Sequence, residues 1–401
     1  MSKGPKKIRN KTGTKKPVII TDDDGAGNGE LLCVRGPIYG PSGYARMTRG
    51  VIKGLHDAGK NFWVDEFQWA VQPSIEVTEE FRDIMVSHIP TQEEMKKTDG
   101  LLIISLPSDI PPSQKFILPN TWLMTIFETT KIPNDWMQVL QSPMSANPNI
   151  PAIKGLFLPT VGNLESFDGT PQIKEIVPIS MDYDTFTPEG KVADWLPEKS
   201  DFNILMSFQN NERKNPKFAF NLINELDENT TVYLKIFRFG MSTWERAKTE
   251  SFIKSETENA LCKIVLLYDM ITDESQAEMY RAMDLVINVS RGEGWDLPRC
   301  EAYSCGVPAI GPLFIGPEDY TIDEFKLITH SLVPCPEMPP YFTGEAKWAK
   351  LDLTNYLQVI HAIRSDKAKY NELALKQRDH LMKHTGSMAD MATSIHDSMR
   401  G

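Results

Sequence analysis

Two glutamates, Glu293 and Glu301, stand with seven residues between them in SRGEGWDLPRCEAYSCGVPAIG, residues 290–311. Ionised carboxylates only accept hydrogen bonds, and charge-assisted bonds are the stronger kind, so such a pair suits sugar hydroxyls. Arg213 and Lys214 are adjacent in FQNNERKNPKFAFNLI, which begins at Phe208. Arginine grips phosphate bidentately and lysine acts as a point charge, so the pair can neutralise a diphosphate. A third carboxylate, Glu128, lies in TIFETTKIPNDW. The segment RGPIYGPSGYARMTRG carries Gly36, Gly40 and Gly43 at G-x3-G-x2-G spacing, with Ser42 and Tyr44 beside the last glycine. Together these residues have the chemistry to hold an anionic diphosphate and a hydroxyl-rich group.

Each group sits where a strand gives way to a helix. Residues 284–289 (DLVINV) form an apolar, β-branched run of strand length. Gly292 and Gly294 then mark a tight loop in which backbone can approach a ligand closely. Pro298 suits the first helical position, where its missing N–H would be unpaired anyway. The helix runs to Ser304, and Gly306 stops it. Its start offers free N–H groups and a positive dipole end to a phosphate. Glu293 therefore lies in the loop and Glu301 about one turn into the helix. Arg213 and Lys214 likewise precede a helix opening near Pro216, and Glu128 follows a strand. The Gly-rich segment opens a helix near Ser42 or Gly43. Its spacing is not the G-x-G-x-x-G of a dinucleotide fold, which argues against an NAD-linked oxidoreductase.

Strand candidates are residues 30–34, 62–67, 101–106, 121–127, 154–158 and 175–179, then 202–208, 231–237, 262–267 and 284–289. Helical runs such as 44–58, 216–226 and 274–283 alternate with them, and residues 351–399 read as successive helices. This order predicts an α/β protein with parallel sheets and crossover connections. Two halves meet near residues 187–200, a Pro-, Gly- and charge-rich linker.

The 401 residues suffice for two domains. No apolar run reaches membrane-spanning length, and no apolar signal segment opens the chain. Five cysteines without a CxxC pair read as reduced thiols of a cytoplasmic protein, not as a zinc site or a disulfide frame. Net charge is −11, although Lys3, Lys6, Lys7, Arg9, Lys11, Lys15 and Lys16 give the first residues +7, leaving about −18 for the rest. The tail, residues 1–27, has the composition of a disordered segment, and it either contacts nucleic acid or only solubilises. Two acidic triplets, Asp22-Asp23-Asp24 and Asp182-Tyr183-Asp184, read as surface or linker acids, and no metal site is expected.

EGWDLPRCEAYSCGVPAIG resembles the donor-site motif of retaining GT-B glycosyltransferases of family 4. The resemblance implies two Rossmann-like domains facing a cleft: an acceptor domain over 28–190, a donor domain over 200–384, and a last helix, 385–401, that returns to the first domain. It implies a nucleotide-sugar substrate, UDP- or GDP-linked, with no cofactor and no metal. Glu293 falls on the sugar-contacting position and Glu301 on the ribose position, with Gly294, Trp295, Asp296, Leu297 and Pro298 along the donor. Lys214 matches the family's diphosphate lysine. Phe208 and Gln209 stand where the upstream arginine is usual, and Arg213 is the candidate substitute. Tyr268 and Met270 sit in the base-binding segment, and Gly40, Ser42, Gly43 and Tyr44 line the cleft. Many relatives carry an acceptor-side histidine; none occurs between His88 and His330, which makes Glu128 the candidate there. The acceptor expected is a glycan or related molecule. The alternatives are hydroxymethylated DNA, as for phage-type enzymes, and a nucleotide-sugar-binding module without catalysis.

Overall fold

The computed structural model describes residues 31–67, 77–110, 118–144, 147–236, 243–268, 271–338 and 342–401. The basic tail, the Asp22–Asp24 triplet, Phe237 and Met270 lie outside the described residues.

The first half contains β1 (Leu32–Gly36), α1 (Gly43–Asp57), β2 (Phe62–Glu66), α2 (Glu79–Ser87), α3 (Gln92–Lys97) and β3 (Gly100–Ile104). It continues through β4 (Thr121–Met124), α4 (Asn134–Gln141), the small hairpin β5 (Pro143–Met144) and β6 (Asn147–Pro151), β7 (Gly155–Leu158), α5 (Val161–Ser166) and β8 (Ile173–Ile176). Six strands pair in the order β2-β1-β3-β4-β7-β8, all parallel. Leu102 and Ile104 face one core and Leu101 and Ile103 the other. A sheet covered on both faces explains why these strands appear in the sequence as continuous apolar runs.

The second half contains β9 (Phe202–Phe208), α6 (Pro216–Asn224), β10 (Thr230–Ile236), α7 (Thr243–Glu256), β11 (Lys263–Leu267), α8 (Asp273–Arg281), β12 (Leu285–Ile287), α9 (Leu297–Ser304) and β13 (Ala309–Ile310). Five parallel strands run β11-β10-β9-β12-β13. An antiparallel hairpin of β14 (His330–Pro334) and β15 (Lys347–Leu351) follows, then α10 (Leu353–Ser365), α11 (Lys367–Thr385) and α12 (Met388–Ser398).

Strand ends differ from the sequence reading by a few residues. β12 is shorter than the run over 284–289, and at its two ends the Asp284 and Asn288 side chains accept from the backbone N–H groups of Asn203 and Ser290 respectively. β8 ends at Ile176, ahead of the 175–179 estimate. α12 packs on α1: a Cβ on Gly54 would come 2.1 Å from the Met388 carbonyl oxygen, so only glycine admits this approach. Asn120 Nδ2 donates to the Met399 carbonyl (2.8 Å), and Lys60 pairs with Asp397 (3.2 Å).

Candidate active site

In an open parallel sheet, ligands bind beyond the carboxyl ends of the strands where the strand order reverses. In the second half that point lies between β9 and β12. Arg213 and Lys214 follow β9 in a short 3-10 turn, and Glu293 follows β12, so strand order alone brings them together. Lys214 Nζ donates to Glu293 Oε1 at 2.5 Å, and Arg213 Nη1 lies 3.1 Å from Glu293 Oε2. Arg213 Nη1 also donates to the Gly292 carbonyl (2.9 Å), and the Arg213 carbonyl accepts from Arg291 N–H (2.7 Å). Burial by itself would raise the Glu293 carboxyl; Lys214 and Arg213 more than reverse this and hold it well below the usual carboxylate range.

Glu128 reaches the same cluster from the first half, with Oε1 3.5 Å from Arg213 Nη2. Burial pushes its carboxyl up, Arg213 partly offsets that, and the negative Glu293 adds to the rise. The loop carrying Glu128 is held at two points. Tyr44 Oη bonds with Thr125 Oγ1 (3.0 Å) and accepts from Ile126 N–H (3.1 Å). Asn163, on α5, accepts from Phe127 N–H (2.7 Å) and donates to the Gly294 carbonyl in the other half (2.8 Å). Tyr44 is thus a support for the Glu128 loop: its buried hydroxyl is committed to that backbone.

The two glycines around Glu293 also admit close approach of the other half of the molecule. A Cβ at Gly292 would lie 2.0 Å from the Glu128 carbonyl oxygen, and one at Gly294 would lie 2.9 Å from the Phe127 carbonyl oxygen. What comes close to this loop is backbone of the other half. Gly292→Ala is expected to lower unfolding stability by about 1–3 kcal/mol, an overpacking cost, as read by urea denaturation.

α9 begins at Leu297 with Pro298 second, one residue earlier than expected. Its opening faces that of α1: a Cβ on Gly43 would sit 3.5 Å from Leu297 Cδ1. Ser42 caps α1, accepting from Ala45 N–H at 3.2 Å, and the Gly40 carbonyl accepts from Arg49 (3.2 Å). Trp295 and Asp296 turn away from the cleft. Trp295 is 1% exposed against Tyr320. Asp296 takes a left-handed backbone (φ 71°), and its Oδ2 accepts from Arg299 Nε at 2.9 Å within the core. The loop's twist sends both side chains inward, which leaves their backbone as the part that faces the loop.

Glu301 is also buried, with Oε2 accepting from Tyr280 Oη (2.7 Å) and Gln276 Nε2 (2.5 Å). Its Oε1 pairs with Arg46 of α1, which also donates to Asp273 Oδ1 (2.6 Å). Lys235, at the end of β10, donates to the Gln276 side-chain oxygen; burial, helped by nearby Arg46, pulls its ammonium down to about 7. A cavity of about 710 Å³ lies between the halves, and its lining includes Arg46, Leu297 and Glu301. That size lies within the range of small-molecule sites. Tyr268 follows β11 beneath the Arg246 guanidinium, 5.1 Å from its ring centroid, and lines a second cavity of about 370 Å³ with Lys235 and Trp195. Asp182 caps the turn after it, accepting from Asp184 and Thr185 N–H groups at 3.2 Å. Among the described residues no group of three or more His, Cys, Asp or Glu could hold a metal.

Sequence reasoning missed Arg46, Asn163 and Gln276. Their partners are distant in the chain, 227 positions for Arg46 and Asp273 and further still for Arg46 and Glu301, and no local motif marks them.

No protein-family model matches the chain, and no curated protein sequence does. Solved structures do. Sucrose-phosphate synthase from Thermosynechococcus elongatus is similar at 13% identity and TM-score 0.62, over 92% of this chain and 98% of that one. HepE from Anabaena, in complex with UDP and glucose, is similar at 11% identity and TM-score 0.63, over 92% and 98%. The trehalose-6-phosphate synthase OtsA is similar at 11% identity and TM-score 0.59, over 92% and 99%. The class is defined at the level of fold: two Rossmann-like domains in the GT-B arrangement. No helix among the described residues is long and apolar enough to cross a membrane.

Proposed function

We propose that this protein is a retaining glycosyltransferase that moves a sugar from a nucleotide-sugar donor to an acceptor hydroxyl. The observation that carries the reading is the convergence of Arg213, Lys214, Glu293 and Glu128, from three strand ends and both halves, beside the opening of α9. Two cations at a strand-order reversal suit a leaving diphosphate, whose charge grows as the glycosidic bond breaks. Glu293 holds both cations in place and accepts from the sugar hydroxyls. Glu301 takes the ribose. Glu128 approaches the sugar from the acceptor side, and burial keeps its carboxyl more readily protonated than an exposed one. The family-4 resemblance of EGWDLPRCEAYSCGVPAIG supports retention and metal independence. The UDP and UDP-glucose complexes of HepE make a UDP-linked sugar the first donor to try, with GDP-linked sugars second. The acceptor assigned is a glycan or a related molecule.

A thermal-shift screen of UDP- and GDP-linked sugars tests the donor. A ligand at about 100 times its Kd adds about 2.7 kcal/mol to stability, a rise of a few degrees. A flat response to every nucleotide sugar would remove the donor assignment.

A further inference from the structure

Three groups already hold the Glu301 carboxylate, and they divide by half of the molecule. Tyr280 and Gln276 belong to α8, in the same half, and both are buried. Gln276 is further fixed because its oxygen accepts from Lys235. Arg46 comes from α1 in the other half, and its side chain is 22% exposed at the wall of the interdomain cavity. A carboxylate oxygen has about two acceptor sites. With Oε2 committed to Tyr280 and Gln276, the ribose hydroxyls must come to Oε1, where Arg46 already takes one of the two sites, so a vicinal pair of hydroxyls competes with it. Arg46 is also the partner with room to leave, since the cavity opens beside it. Asp273, at the start of α8 and 42% exposed, holds the guanidinium there.

We propose that Arg46 is a donor-displaced latch. In the free protein it ties α1 to Glu301 and Asp273 across the wall of the cavity. Nucleotide binding replaces it on Glu301, so Arg46 sets donor affinity and couples binding to movement of the halves. A ligand shifts a two-state equilibrium only by its differential affinity for the states, and the competition for Glu301 supplies that difference. This rests on reading Glu301 as the ribose carboxylate.

Calorimetry with uridine diphosphate and guanosine diphosphate on the full chain tests it. Arg46→Ala is expected to lower the Kd of the nucleotide that binds by about ten-fold, a coupling of ordinary size. Asp273→Asn loosens Arg46 without touching Glu301 and is expected to act in the same direction, less strongly. Small-angle scattering of unliganded Arg46→Ala should show a larger radius of gyration than the wild type. A weaker Kd in Arg46→Ala would mean that Arg46 itself holds nucleotide, and that result or an unchanged Kd overturns the latch. Glu301→Gln separates the two claims. If it loses nucleotide while Arg46→Ala fails to tighten, the latch alone is wrong. If it binds as the wild type does, the ribose reading is wrong and the latch falls with it. Binding of neither nucleotide to any form overturns both.

Discussion

Lys214→Ala is expected to lower kcat for sugar transfer by about 10²–10³-fold, the usual loss when one preorganised charge-stabilising group is removed. Lys214 Nζ sits 2.5 Å from Glu293 Oε1 with its side chain 24% exposed, beside the opening of α9. In the free protein its charge is balanced by Glu293; in the proposed transfer, negative charge grows on the diphosphate oxygens as the glycosidic bond breaks, and the ammonium is placed to meet it. The interaction strengthens in the transition state, so kcat and kcat/KM should fall together, with KM nearly unchanged. Glu293 retains Arg213 as a partner in this variant, which keeps the unfolding free energy close to wild type. Steady-state kinetics with urea denaturation on the same sample checks both parts. A rise in KM alone would assign Lys214 to ground-state binding, and unchanged kinetics would remove it from the reaction.

Asp296→Ala is expected to have the largest effect on stability. Its carboxylate meets Arg299 Nε at 2.9 Å, and the two side chains are 0% and 2% exposed. Breaking a buried pair from one side leaves the other charge stranded and typically costs about 3–5 kcal/mol. Asp296 also holds a left-handed backbone that Asp and Asn tolerate better than alanine does, so both the charge and the φ angle oppose the change. Asp296→Asn keeps the backbone preference and loses the charge, which separates the two contributions. Urea unfolding should show the alanine variant less stable than the asparagine one. A loss below about 1 kcal/mol in both variants would contradict the account of the pair.

Much of the fold was legible because parallel strands covered on both faces are apolar over most of their length, as in residues 202–208 and 231–236. The β14–β15 hairpin was not, because its first strand, HSLVP, lies half-exposed without a clean alternation. At the site, Glu293, Arg213 and Lys214 could be placed from sequence since each follows a strand directly. The inward turn of Trp295 and Asp296 could not, because it depends on one residue's positive φ. Gly292 and Gly294 were recognisable as close-approach positions, yet only the structure identifies the approaching group as the Phe127 and Glu128 backbone with the Ile126 Cβ. Asn163 bridges to Gly294 across 131 positions, a pairing fixed by domain packing with no local signature.

The central claim is that this cleft cleaves a nucleotide sugar. The direct measurement is nucleotide release from a panel of UDP- and GDP-linked sugars by the wild type and by Lys214→Ala at equal concentration. The account predicts release of one nucleotide by the wild type, by hydrolysis or by transfer, and a rate about 10²-fold or more lower for the variant. Tight binding of a nucleotide sugar without release would instead make the protein a sensor of that ligand, and equal rates in the two forms would place the chemistry elsewhere.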